Sequence, residues 1–330
     1  MATVQLSVVV PIFNERENLE LLVAKLHESL SAIGQTYEIL LIDDGSKDGS
    51  WELMVTLAER YPCLHLIRFR RNFGQTAAMS AGFKESRGEI IVTLDADMQN
   101  DPADIPKLLA KMDEGNDVVS GWRRDRQDPF INRRLPSIIA NTLISRITGV
   151  HLHDYGCTLK AYRREIVNHI DLYGELHRFI PALASWVGGQ IAEVPVTHHP
   201  RRFGKSKYGI SRTLRVVLDL VTVKFMLRYA TRPIHVFGKW GMLSGLTGVS
   251  MLLFILAAHL SYRWFGTEFA SGLIKRPFWV ISPFMLIFFG LQFVSMGLLA
   301  ELQIRTYHES QQKPIYVIRE SRESRPPAGT

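Results

Sequence analysis

The sequence predicts an α/β domain built on a mainly parallel sheet, followed by two membrane-spanning helices. Two observations lead there. Over the first 200 residues, apolar runs of strand length alternate with helical patterns, as in a parallel sheet covered on both faces. Beyond about residue 235 come two long stretches almost without charge. The overall 46% hydrophobic and 22% charged composition hides this division between a soluble-looking half and an apolar one.

The elements follow in order. Residues 6–12 (LSVVVPI) form a continuous apolar strand, then Asn14, Glu15 and Glu17 open a helical pattern reaching Leu30. Residues 37–42 (YEILLI) form a second strand ending in Asp43-Asp44-Gly45, with a helix over 50–60. A third strand over 63–69 leads to a helix over 75–85. The fourth, 89–94, ends in Asp95, Asp97 and Gln99 before a helix over 102–112, and a short fifth covers 117–121. The acidic clusters thus sit at strand carboxyl ends, where ligands bind in sheets of this kind.

Residues 240–260 and 277–300 each reach the roughly 20 apolar residues needed to cross a bilayer core. Lys224, Arg228, Arg232 and Lys239 precede the first stretch, and Arg305, Lys313 and Arg319 follow the second. The positive-inside bias therefore puts the N-terminal domain and both termini on the cytoplasmic side of the membrane. The predicted division is 1–200 α/β domain, 201–236 basic segment with an amphipathic interface helix, 237–310 spans with a short outer loop, and 311–330 cytoplasmic tail, its polar end disordered. Gly241, Gly245 and Gly290 offer small-residue contacts for self-association into a homo-oligomer. Cys63 and Cys157 are the only cysteines, which excludes a disulfide framework or a zinc cysteine set. The net charge of +7 suits anionic headgroups and phosphate-bearing substrates, and no nucleic-acid module is present.

Carboxylates at i and i+2 of an extended segment point the same way, so Asp95 and Asp97 can reach one site. Their repulsion calls for a cation, and Mg²⁺ or Mn²⁺, which shares phosphate oxygens with one or two carboxylates, meets that need; Gln99 adds an amide oxygen. A solvated turn is the competing reading of this D-x-D. Asp43-Asp44-Gly45-Ser46 is either a nucleotide-contacting strand end or ordinary turn chemistry. Neither a P-loop nor G-x-G-x-x-G occurs, so phosphates must be handled by metal and basic side chains. Arg123 follows the fifth strand, and Arg202, Lys205 and Lys207 lie in a glycine-spaced basic run suited to a lipid-borne phosphate. Asp154 either orients a reacting group or caps a helix. His153, His198 and His199 read as ordinary histidines rather than metal ligands.

Taken in order, VVVPIFNERENL, EILLIDDGSKDGS, RNFGQTAAMSAG, LDADMQNDP, DYGCTLKAYRR and RRFGKSKY, with two spans behind them, resemble the polyprenyl-phosphate glycosyltransferases. These are inverting family-two enzymes with the GT-A fold, and the resemblance covers about residues 5–318. It implies a nucleotide pocket lined by Pro11, Phe13, Asn14 and Glu15, with uridine on Asp43 or Asp44. It puts ribose or sugar, beside the metal, at Asp95, and metal with diphosphate at Asp97 and Gln99. Arg123 approaches the donor, while Arg202, Lys205 and Lys207 take the phosphates. Asp154 stands where a base is often placed, but an acceptor phosphate is already anionic, so positioning is the better role. The implied reaction is metal-dependent transfer of a sugar from a UDP-sugar donor to undecaprenyl phosphate. UDP-glucose is the first choice, with aminoarabinose or mannose as alternatives. A non-catalytic membrane-anchored nucleotide-sugar sensor is the competing class.

Overall fold

Strand β1 (Leu6–Ile12) runs through the middle of an eight-stranded sheet of order β7-β5-β6-β4-β1-β2-β3-β8. The structure is a computed structural model that describes residues 4–124, 141–142, 144–146, 148–172, 176–200, 234–265, 276–310 and 318–323. Arg202, Lys205, Lys207 and the expected interface helix lie outside these residues. The chain divides into two compact units, one holding the sheet and the other the two long apolar helices.

In the first unit, β1, β2 (Tyr37–Asp43), β3 (Leu64–Phe69) and β4 (Ile90–Thr93) are parallel neighbours in the order β4-β1-β2-β3. Their connections are α1 (Arg16–Ile33), α2 (Ser50–Arg60) and α3 (Gln75–Glu85). After β4 the chain makes α4 (Ile105–Asp113) and β5 (Val118–Trp122). The strand residues Val8, Val9, Val10, Ile39, Leu40 and Leu41 are fully buried, as their unbroken apolar runs require. At the amino-terminal edge, Glu38 is stapled inside the fold. Its carboxylate accepts from Ser7 Oγ at 2.6 Å, Arg87 N–H at 2.6 Å and Arg87 Nε at 2.9 Å. That carboxylate serves the fold, at the edge opposite the acidic strand ends.

Three strands go beyond the sequence reading. β6 (Lys160–Arg163) lies antiparallel between β4 and β5, making the sheet mixed; it is followed by α5 (Arg164–Val167) and α6 (Ile180–Trp186). β7 (Ile191–Pro195) pairs in parallel with β5. β8 (Ile318–Glu323) falls in the tail expected to be disordered, and it adds antiparallel to the edge of β3. Backbone pairing and a 3.1 Å contact between His65 Nε2 and Ser321 Oγ hold this charged strand. Charged residues are what an exposed edge strand tolerates.

The second unit pairs α7 (Ile234–Phe265) with α8 (Pro277–Ser310). Their segments Phe237–Trp264 and Pro277–Ala300 have mean hydropathy 1.9 and are long and apolar enough to cross a membrane. They pack so closely that a Cβ on Gly241 would lie 2.7 Å from the Gly290 carbonyl oxygen, and one on Gly290 would lie 2.8 Å from Gly245 N. Gly241 and Gly290 thus face each other within the helix pair, whereas a Cβ on Gly245 would meet open space. Gly290→Leu should lower the thermal midpoint of the full chain in detergent, with a loss on the order of 1–3 kcal/mol from overpacking. A midpoint equal to wild type would contradict this packing.

Candidate active site

The loops after β1, β2, β4 and β5 meet at the carboxyl edge of the sheet. Asn14 holds a left-handed backbone (φ 52°), which asparagine tolerates better than most residues. Its N–H donates to Ser46 Oγ at 2.9 Å, and its Oδ1 accepts from Lys47 N–H at 2.8 Å. Glu15 joins the same seam, its N–H meeting Ser50 Oγ at 3.2 Å and its Oε2 taking Asn18 Nδ2 at 2.7 Å. The first two loops are thus sewn together, with Pro11 and Phe13 half-buried beside them.

The paired aspartates after β2 do different work. The Asp43 side chain is fully enclosed, holding Ser46 N–H at 2.8 Å and Arg68 Nε at 3.3 Å. Asp43 thus braces the turn that carries Asp44. Asp44 accepts the N–H groups of Phe73 (2.6 Å) and Gly74 (2.9 Å), tying the β3–α3 loop to this turn. Gly45 makes the approach possible. It has φ 75°, and a Cβ there would sit 2.6 Å from the Arg71 carbonyl carbon. Burial pushes the Asp44 pKa up to about 6, the two N–H bonds offsetting only part of the desolvation.

After β4, Asp97 Oδ1 accepts the Gln99 N–H at 3.1 Å, across a Met98 held at φ 59°. A left-handed backbone at a non-glycine residue stores strain of order 1–3 kcal/mol, which clusters at functional sites. Asp95 is half-buried and takes Gln75 Nε2 at 2.8 Å. Burial, then the charge of Asp97, raise the Asp95 pKa to about 6; Thr158, Arg123 and Lys160 relieve part of it. The carboxylates of Asp95 and Asp97, with the Gln99 amide two residues on, are the oxygen donors a hard divalent cation takes. Among the described residues no group of three or more His, Cys, Asp and Glu is placed to hold a metal. A cation at Asp95 and Asp97 would therefore complete its shell with oxygens from water or substrate phosphates.

Arg123, just past β5, lies against Asp154 in a two-point fork, Nε to Oδ2 at 2.7 Å and Nη2 to Oδ1 at 3.0 Å. Burial alone would lower the Arg123 pKa, but the bonds and charge of Asp154 outweigh it and hold the guanidinium above its usual value. Both Asp154 oxygens are engaged, Oδ1 also taking Gly156 N–H at 3.1 Å, and the residue is 5% exposed. That geometry suits an anchor for Arg123 and not a proton acceptor.

Gln75 and Lys160 were missing from the sequence-derived set. Lys160 is buried, donates to the carbonyls of Tyr155 and Cys157, and has its pKa lowered by desolvation. A lysine inside a strand was the one available signal, hidden by the shortness of β6.

The family model for glycosyl transferase family 2 matches residues 7–171. The chain belongs to that family. This glycosyltransferase is 42% identical to the dodecaprenyl-phosphate galacturonate synthase of Rhizobium johnstonii, over 96% of its own length and 93% of the relative's. It is 39% identical, with the same coverage, to the undecaprenyl-phosphate 4-deoxy-4-formamido-L-arabinose transferase of Salmonella paratyphi B. The expected kinship with polyprenyl-phosphate glycosyltransferases is borne out. Among solved structures, glucosyl-3-phosphoglycerate synthase of Mycobacterium tuberculosis, in complex with Mn²⁺, UDP and glucosyl-3-phosphoglycerate, superposes with a TM-score of 0.52 at 17% identity. That match covers 68% of this chain and 79% of the other, and it establishes the GT-A fold.

Because the Asp44 pKa is raised in the fold, its contribution to stability is fully present below about pH 4 and is lost as pH rises through 6. The thermal midpoint of the full chain should therefore fall more steeply over that window than that of Asp44→Asn. Parallel pH profiles of the two would overturn the assignment.

Proposed function

We propose that this glycosyltransferase moves a sugar from a UDP-sugar to the phosphate of a polyprenyl phosphate, at the cytoplasmic face of the inner membrane. The carrying observation is the combination, in one chain, of an acid-lined sheet edge and two apolar helices of membrane-crossing length. Support for the acceptor comes from the two relatives that align with 96% of the chain. Their names favour galacturonate or 4-deoxy-4-formamido-L-arabinose as the sugar, ahead of the glucose that was the first expectation; the aminoarabinose alternative gains from this. Family membership and the acidic strand ends favour an enzyme over a sensor.

An acceptor phosphate oxygen attacks the anomeric carbon, and the bond from that carbon to the diphosphate oxygen breaks with its electron pair leaving on UDP. The acceptor is anionic at neutral pH, so no residue need take a proton. Arg123, fixed by Asp154, faces the donor diphosphate, and the sewn loops around Asn14 and Asp44 receive the nucleotide. Asp95, Asp97 and Gln99 would hold Mg²⁺ or Mn²⁺, which when bound neutralises charge developing on the diphosphate. Arg202, Lys205 and Lys207 take the acceptor phosphate, and the apolar helices anchor the chain in the membrane that holds this lipid. Attack opposite the leaving group inverts the anomeric configuration.

Purified full chain should be incubated with undecaprenyl phosphate, Mn²⁺ and labelled UDP-galacturonate, UDP-4-deoxy-4-formamido-L-arabinose or UDP-glucose. Lipid-extractable label is expected with one of the first two. It should fall by at least roughly 10²-fold in Asp97→Ala and disappear on chelation of the metal. Label from none of the three donors would sink the proposal; label from UDP-glucose alone would restore the first expectation.

A further inference from the structure

Glu193 sits in edge strand β7, opposite Ser120 of β5, and its side chain is only 11% exposed. Its carboxylate faces the loop that leads into β6. Oε1 accepts the N–H groups of both His153 and Asp154 at 3.0 Å. Oε2 takes the His153 N–H at 3.1 Å and lies 2.7 Å from His153 Nδ1. The imidazole in turn stacks on Trp122, ring centres 4.3 Å apart and planes 19° from parallel. One carboxylate therefore fixes the backbone on either side of the peptide that carries Asp154.

The other end of the loop is fixed as well. Lys160 donates to the carbonyls of Tyr155 and Cys157, and the Gly156 N–H donates to Asp154 itself. Between these anchors the Asp154 side chain makes the two-point fork with Arg123. A planar fork is sensitive to small displacements, because both bonds must align at once. The β5–β7 ladder is formed by backbone groups, so it does not require the Glu193 side chain.

We infer that Glu193 is a positioning residue for the donor: through Asp154 it sets the direction of the Arg123 guanidinium without touching substrate. This rests on the reading above that Arg123 meets the donor diphosphate. The histidine that looked incidental in the sequence is part of the same brace, filling the space between Glu193 and Trp122.

The test is UDP binding to the full chain with Mn²⁺, by titration calorimetry, for wild type, Glu193→Ala, Glu193→Gln, Arg123→Ala and the double variant Glu193→Ala/Arg123→Ala. Glu193→Ala should weaken UDP on the order of tenfold, the scale of coupling between residues in one network. Glu193→Gln keeps an oxygen for the two backbone N–H groups and should recover part of that loss. In the Arg123→Ala background, removing Glu193 should add nothing. Multiplying losses in the double variant, or wild-type affinity in a folded Glu193→Ala, would overturn the inference while leaving the function standing. If Arg123→Ala binds UDP like wild type, the donor role of Arg123 itself fails, and the inference with it. Should Glu193→Ala not fold, Glu193→Gln carries the same comparison: a partial loss that vanishes beside Arg123→Ala supports the brace, and unchanged affinity refutes it.

Discussion

Negative charge gathered at one edge of the sheet is the constraint on which the site depends. Asp43, Asp44, Asp95, Asp97 and Asp154 all lie where parallel strands end, and burying carboxylates is costly without compensation. Asp43 is paired with Arg68 and Asp154 with Arg123, whereas Asp44 accepts the N–H groups of Phe73 and Gly74. Asp95 receives an amide from Gln75 and only partial relief from the cations behind it, so it keeps a raised proton affinity. A carboxylate paired with an arginine shapes the fold. Where compensation is incomplete, an incoming cation gains most.

The parallel half of the sheet was legible because its strands are uninterrupted apolar runs that end in polar turns. The four strands from β1 to β4 match their sequence ranges to within one or two residues. β6 and β8 were not legible, for a shared physical reason. Lys160–Arg163 has a cation at each end, and Ile318–Glu323 is mostly charged, so neither carries a hydrophobic period. They are strands because partners are waiting, not because of what they contain.

The site shows the same division. The D-x-D and the paired aspartates stand out as residue types in order, and their place at strand ends follows from the fold class. Which aspartate faces inward does not. Asp43 and Asp44 are adjacent letters, yet only three-dimensional packing puts Arg68 against one and the 73–74 backbone against the other. The link from Glu193 to Asp154 joins positions 39 residues apart, and the fork from Asp154 to Arg123 spans 31. Side chains that act on each other over such separations leave no local pattern.

The strand after the second apolar helix changes how the molecule can be divided. Because β8 completes the sheet from beyond residue 313, the helical pair is an insertion within the catalytic unit rather than a tail appended to it. A single cut upstream of α7 would strip the outer neighbour from β3 and leave its hydrogen-bonding edge open to other chains.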